Sequence, residues 1–578
     1  MKQWRARLIL TALTALVLTV SAAASGGYCG EEPQSVQWRL TNDATVLTIS
    51  GSGAMRDWAW TDVPSWQGDR HTITTVIVEE GVTEVGNVAF CNFPKLTWVE
   101  LPSTLERIGD YAFCINDMLR MVEIPESVKT IGQGAFYGCE ELRQIDLPSG
   151  LTSLGAEALQ DCTKVERLHL PAGLTEIGEG AFGGCMAQIT VAPGNTAVRL
   201  EEGFLLSGDG KTVLSAAGEG LEVCTVPEGV ERIGAWAFHR SAIKELTLPA
   251  TVRQIGTQAF SFCKGLEEVK IPEGVEEIGE SAFVSCTALA AVTLPSTLTG
   301  LERAAFSSTA LQTVQLPEGI TEVKDHLFAR CEQLREVILP EGAKKVMSYA
   351  FEGCTALEEM HIPEGMELIG VGAFEDCSTL RKLTLPATVQ SVSRYAFWNT
   401  ALEEVTYGGT LRQWEQVKIR ENNEPLLAAE VHCRVPQPGE TVCVSAAVPE
   451  GAEVHMDGGV FPADGGMVSV AEVFPGTYDV TVKKAGCLTH TVKDVKVEES
   501  DIDLGEVKLL SGDVNADEKI NMQDLRIFLQ NFNKQGENIG ASLTDVNEDS
   551  KVNMQDLRVF LKNFNKTSEK DATFVYGA

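Results

Sequence analysis

The sequence predicts a multi-domain chain: a β-solenoid with short β caps, then a small all-β sandwich, then an α-helical module built on paired calcium loops. Three observations carry this reading. An Ala-Phe pair or a close variant recurs every 22 or 23 residues from Phe90 to Phe397, except for one longer gap between Phe182 and Phe238. Self-similarity at such a period marks a solenoid. From about 436 to 509 the repeat gives way to short stretches alternating at period two, punctuated by Gly and Pro, as strands of a sandwich do. Near the end, one motif is written twice, at Asp513–Asp524 and, 32 residues later, at Asp545–Asp556.

At the start of the chain, Lys2, Arg5 and Arg7 precede an apolar run from Leu8 to Val20 and the small residues Ser21 to Ala24. A basic stretch, a short apolar run and small residues predict a secretory signal over 1–24. The run is too short for a comfortable membrane span. Cys29 follows Gly26, Gly27 and Tyr28, a poor context for a lipid anchor. No later stretch could cross a membrane, so the expectation is a secreted, extracellular protein with no direct membrane insertion. Its 47 Lys and Arg against 81 Asp and Glu give a net charge of −34, which argues against nucleic acid or an anionic membrane as partner. The hydrophobic fraction of 44% supports large cores.

Residues 25–75 read as an N-terminal β cap, because Val36–Thr41 and Thr45–Gly51 alternate like strands. The solenoid occupies 76–407. A full unit runs from Leu339 through Pro-Glu-Gly, Ala350-Phe351 and Cys354 to His361. Each coil offers Leu, Val or Ile, Phe and Cys for burial between its neighbours, so one repeat alone would not fold. The core Ile131-Gly-x-x-Ala-Phe-x-x-Cys139 and the strand spacing Leu357-x-x-Met360-x-Ile362 resemble the BspA-like leucine-rich repeats of bacterial surface proteins. The gap, 183–226, reads as an irregular coil holding a hairpin near Gly203–Leu214. Residues 408–435, with Trp414, read as a C-terminal cap. Of the 15 Cys, Cys139, Cys162, Cys185, Cys263, Cys286, Cys331, Cys354 and Cys377 stand three residues after the Phe position and read as a ladder of small buried thiols. Cys91 and Cys114 stand one residue after it, and their pairing, like that of Cys29, Cys433, Cys443 and Cys487, is left open.

The stretch 436–509 offers strands at Val442–Ala446, Ala452–Met456, Met467–Val470, Thr477–Val482 and His490–Val497. Its Phe474-Pro-Gly-Thr-Tyr-Asp-Val480 resembles the carboxypeptidase regulatory-like domain, which implies a β-sandwich spacer.

The duplicated motif places Asp513, Asn515, Asp517, Asn521 and Asp524, and again Asp545, Asn547, Asp549, Asn553 and Asp556, at loop positions 1, 3, 5, 9 and 12. With backbone carbonyls of Lys519 and Lys551 at position 7, each set suits a calcium ion, two Ca2+ in all. Three carboxylates per loop should repel one another without the ion. Position 6, which favours Gly, holds Glu518 and Ser550. After each loop, Leu525–Lys534 and Leu557–Lys566 repeat one apolar face at helical spacing. A loop followed by one helix, duplicated, with Asp at position 12, resembles a type I dockerin over 511–566, leaving 567–578 as a tail. The resemblance implies docking to a cohesin module of a scaffoldin in a cellulosome-type assembly. It implies recognition through Met522 and Gln523 and through Met554 and Gln555, with further contacts at Leu529, Gln530 and Lys534 and at Leu561, Lys562 and Lys566. The same Met-Gln pair in both copies suggests that either face could dock. Core filling is the competing reading of the two methionines.

No catalytic signature emerges. His71, His169, His239, His326, His361, His432, His455 and His490 are scattered, and neither His-Glu-x-x-His nor Gly-x-Ser-x-Gly occurs. The outward strand position carries Glu100, Glu123, Asp146 and His169, then Thr247, Lys270, Thr293, Gln315, Ile338, His361 and Thr384, a mixed row suited to a protein or glycan ligand. The leading expectation is a non-catalytic secreted component that docks by calcium-dependent dockerin–cohesin binding and presents an adhesive or recognition surface. The alternatives are a scaffold-docked polysaccharide-degrading hydrolase and an adhesin for host or neighbouring cells.

Overall fold

A coil of 22 or 23 residues cannot enclose its own apolar side chains, so its strands must find partners above and below. The computed structural model describes residues 25–41, 43–216, 222–434, 442–473, 476–485, 487–497, 502–509, 511, 513–531, 551–552, 554–567 and 573–574. The predicted secretory signal, 1–24, lies outside them. Within the repeats, a regular coil gives one strand of three or four residues and a second that is usually of two, as Arg107–Ile108 and Thr130–Ile131 are. These stack in parallel register: Gln144, Ile145 and Asp146 lie beside Met121, Val122 and Glu123, and Thr130–Ile131 beside Ser153–Leu154. The middle residue of the longer strand points inward, as Val122, Ile145 and Val269 do, while its neighbours stay mostly exposed.

The Phe position builds the second wall of the core. Phe260, Phe283 and Phe306 stack with centroids 5.1 and 5.3 Å apart, and Phe351, Phe374 and Phe397 at 5.1 and 5.2 Å. All are fully buried. Burying each stabilises by about 2 kcal/mol. The cysteines three residues on have a polar task as well: Cys139, Cys286 and Cys377 donate their thiols to the carbonyls of Phe113, Phe260 and Phe351 one coil earlier, at 3.0–3.1 Å. Asn116 fills that position in the second coil and donates to the Phe90 and Phe113 carbonyls.

Two residues per coil, two before and two after the Phe, adopt positive φ: Tyr111 and Ile115, Glu157 and Asp161, Trp236 and Arg240, among others. This turns their N–H groups toward the next coil, as Tyr111 N–H meets Gln133 O and Ile115 N–H meets Tyr137 O, both at 2.7 Å. Non-Gly residues tolerate this strained conformation because a hydrogen bond to the adjacent coil fixes it.

At the N-terminal end Ser25–Tyr28, Val36–Leu40 and Val46–Gly51 form an antiparallel sheet whose last strand runs parallel to Thr75–Val78. Trp66 packs between Trp38, Trp58 and Phe90, and its indole N–H donates to Ala89 O. Cys29 is buried there, and burial pushes its thiol up to about 12. Cys91 and Cys114 form a disulfide between the first two coils, and the ladder thiols from Cys139 to Cys377 are buried and unbridged. The irregular coil is a meander, Val198–Glu201, Phe204–Ser207 and Thr212–Ala216, whose last strand rejoins the parallel stack beside Arg232–Ile233. Lys418–Ile419 and Glu430–Cys433 continue the two strand rows at the other end.

The chain divides into two compact units: the repeats with Val417–Cys433, and Thr410–Gln416 with everything from Arg434 onward. In the second unit two four-stranded sheets enclose Val444, Val454, Val470, Val480, Val482 and Val495. Alternation revealed five of these strands; Gly459–Pro462, Ile502–Lys508 and Thr573–Phe574 escaped it, the last falling in the stretch read as a tail. No helix among the described residues is long and apolar enough to cross a membrane.

Candidate calcium site and docking faces

The tail module forms two ten-residue helices, Met522–Asn531 and Met554–Asn563. Asp524 and Asp556, each in a first turn, are wholly buried. The core beside them is small: Ile520, Phe528, Val552 and Phe560, with Leu488 from the sandwich completing it.

In the first loop, carboxylate oxygens of Asp513, Asp517 and Asp524 all lie within 4.8 Å of one another. Asp524 Oδ1 accepts the N–H groups of Val514 and Asn515, and its Oδ2 accepts that of Asn521. Asp513 accepts from Asp517 and Glu518, and Asp517 accepts from Lys519. The backbone is therefore wound around the carboxylates, leaving their remaining lone pairs converging. Burial raises the pKa of Asp513 above the usual carboxylate value; the N–H groups of Glu518 and Asp517 oppose this, and the charges of Asp524 and Asp517 add to it. Two buried carboxylates and a third beside them, with no basic side chain among them, form a donor set that fits a hard divalent cation. Asn515 and Asn521 sit at the same loop, though Asn515 spends its amide on Asp517 and Gln523.

In the second loop Lys551 and Asp556 are described; Asp545, Asn547, Asp549 and Asn553 lie outside the described residues. So does Lys534.

The substitution of Glu518 for Gly has a structural role that sequence reasoning missed. Glu518 keeps the positive φ of the position, +61°, and its carboxylate accepts Thr489 N–H at 2.9 Å and the Thr489 hydroxyl. Together with Leu488 and the bridge between Cys487 and Ser511, this ties the loop to the sandwich. A Glu where the turn favours Gly was the available signal.

Of the residues expected to meet a partner, Met522, Met554, Leu529 and Leu561 are 52–55% exposed. Met and Leu stand seven residues apart on each helix, so each helix carries the same exposed apolar pair. Core filling by the methionines is thereby overturned. Gln523, Gln555, Gln530 and Lys562 are exposed too, whereas Lys566 is half-buried and accepts Ile520 N–H with its carbonyl.

On the repeats the outward strand row forms a shallow groove. One hollow of about 350 Å³ lies among Glu336, Ile338, Glu359, His361, Lys382 and Thr384. Ile338 is 48% exposed, and Glu336, Glu359 and Lys382 place charges of both signs around it. His169 and His361 share this face without approaching each other.

Comparisons with known proteins follow the same division. Residues 69–190, 217–334 and 301–422 match the family model of the BspA type leucine rich repeat region, and residues 511–565 match that of the dockerin type I domain. No curated protein matches the chain. Among solved structures, the chain is similar to a leucine-rich repeat protein from Eubacterium ventriosum, 28% identical, with a TM-score of 0.51 over 61% of this chain and 95% of that one. It is also similar to a leucine-rich repeat protein from Bacteroides ovatus, 23% identical, with a TM-score of 0.39 over 70% of this chain and 99% of that one. A type II cohesin–X–dockerin complex from Acetivibrio cellulolyticus matches at 24% identity and a TM-score of 0.21, over 22% of this chain and 99% of that chain. With the repeat model covering more than half of its length, the chain belongs to the BspA type leucine-rich repeat family.

Proposed function

We propose that this protein is a non-catalytic, secreted component that docks through its calcium-loaded tail onto a cohesin module of a scaffoldin, in a cellulosome-type assembly, while the repeats present a recognition or adhesion surface. The observation that carries the reading is the convergence of Asp513, Asp517 and Asp524 under a dockerin type I match. The exposed apolar pairs Met522 with Leu529 and Met554 with Leu561 support it, because water-exposed apolar side chains in matched positions suit a partner's surface. Each loop holds one Ca2+: Asp513, Asn515, Asp517, Lys519, Asn521 and Asp524 in the first, Asp545, Asn547, Asp549, Lys551, Asn553 and Asp556 in the second. The ion draws the loop carboxylates together and so fixes the start of each following helix; the protein's own residues set which face that helix offers.

The two helices carry equivalent faces, so docking is expected in either of two orientations. Titrating the full chain with a panel of cohesins in calcium tests this. Replacing Met522 and Gln523 by Ala should leave the affinity within a few-fold of the parent, and replacing Met554 and Gln555 as well should abolish it. Binding that no chelator weakens would contradict the proposal, and complete loss on changing the first pair alone would rule out the dual mode.

A further inference from the structure

The edge of the solenoid that carries the Phe stack is lined by residues one or two positions from each Phe, and at one place this edge opens into a cavity of about 500 Å³. Its origin lies in a single coil. The coil of Phe182 has Gly183 directly after the Phe, where the coil of Phe136 has Tyr137, and it keeps Gly180 and Gly184 at the two positions that the Phe136 coil fills with Gly134 and Gly138. A Cβ on Gly180 would lie 2.5 Å from the Trp236 ring, and one on Gly183 would lie 2.6 Å from Trp236 Cβ. A Cβ on Gly184 would lie 3.0 Å from both Asp161 Oδ1 and His239 Cδ2. These three glycines let the coil before and the coil after reach across to each other. Asp161 then meets Arg240 Nε at 3.1 Å and His239 Nε2 at 3.3 Å, while His239 Nδ1 lies 2.5 Å from Ser261 Oγ.

The cavity therefore has a fixed polar floor, and its size falls in the range of roughly 300–1,000 Å³ common for small-ligand sites. Besides Asp161, whose Oδ1 is held by ion pairs, two lining residues carry a buried polar atom with no hydrogen-bond partner. Gln160, 5% exposed, has a side-chain carbonyl with no partner, and the buried indole N–H of Trp236 has none either. Buried polar atoms without a partner are costly and uncommon in folded proteins. Here one is an acceptor and the other a donor. Around them stand the rings of Tyr111, Tyr137 and Phe262, and the Glu157 carboxylate, which accepts from Tyr111 Oη at 3.3 Å. Asp161 is neutralised by Arg240, so the site has no surplus of positive charge for an anion and only Glu157 for a cation. Aromatic faces beside a carboxylate, an amide carbonyl and an N–H donor are what a neutral sugar ring requires: its C–H face packs on a ring, and its hydroxyls donate to and accept from the polar groups.

We infer that this glycine-gated cavity on the Phe edge is a binding site for a neutral saccharide, the end of a glycan. The inference deepens the recognition role proposed for the repeats and moves it from the strand face to another face of the same unit. It requires neither calcium nor a cohesin, so failure of docking leaves it standing. The test is calorimetry of the full chain with cellobiose, xylobiose, mannobiose and lactose, with galacturonic acid and glucosamine as charged comparators. Saturable binding of at least one neutral saccharide is expected. Glu157→Gln and Phe262→Ala should each weaken it by about tenfold or more, the scale of a lost polar or stacking contact, and His361→Ala on the strand face should leave it unchanged. Should Phe262→Ala lower the melting temperature, Glu157→Gln decides, because it alters one atom of a half-buried side chain. Binding of no neutral saccharide, binding of only the charged sugars, or binding unaffected by both cavity variants would overturn the inference.

Discussion

Phe283 in the repeats is stacked between Phe260 and Phe306, in a core made chiefly of apolar side chains. Phe528 and Phe560 in the tail meet at 5.6 Å with their rings tilted, and Asp513, Asp524 and Asp556 are buried in the same module. The first arrangement is stable through neighbouring coils alone, since each added coil covers apolar surface and satisfies backbone groups. The second combines a five-residue core with carboxylates that resist burial unless a cation accompanies them. One part of the molecule should thus fold whatever the divalent ion concentration, and the other should not.

The largest effect expected from this contrast is on the tail. Asp513→Ala with Asp545→Ala removes the proposed first ligand of both loops and should abolish the gain of helix expected on calcium addition, read by far-ultraviolet circular dichroism, while the melting of the repeats stays as in the parent. A lost repeat transition would break the comparison. The converse variant is Phe283→Ala, which should destabilise the repeats by about 3–5 kcal/mol in denaturant unfolding, the usual cost of emptying an aromatic core position, and leave the calcium response intact.

A subtler difference lies in alkali. Burial pushes the thiols of Cys139 and Cys331 up to about 12 and about 11, from an ordinary value of 9.0. Well below pH 9 these thiols are neutral in both states and stability is unaffected. As the pH rises from 9 towards 11, the unfolded chain ionises them far more readily than the folded one, so the repeats should lose stability across that window. An alkaline melt that stays flat to pH 11 would contradict the burial of the ladder. The smallest effect is Glu518→Ala, which keeps the strained backbone and removes the bonds to Thr489. A cost of about 1 kcal/mol to the unfolding of the second unit is expected, and no change would mean that the tie is loose.

Much of this was legible in the sequence because period is a robust signal. The Phe and Cys positions, the outward strand row and the Asp513–Asp524 spacing each recur, and recurrence reports a shared environment. The buried thiols were readable from position, but their donation to the Phe carbonyls was not, because hydrogen bonds between coils leave no pattern within one. Gly459–Pro462 was lost for the opposite reason, being a short edge strand with a Pro and little alternation. Glu518 looked like a departure from a rule, and the glycines of the Phe182 coil drew no reading at all. Their meaning depends on what lies across from them, Thr489 in one case and Trp236, Asp161 and His239 in the other, and sequence distance hides that.

The most direct test of the central claim is calorimetric titration of the full-length protein with Ca2+, followed by circular dichroism before and after EDTA. Saturable uptake of two ions, with helical signal gained on binding and lost on chelation, is the expected outcome. No uptake, or a spectrum indifferent to EDTA, would contradict calcium-dependent docking.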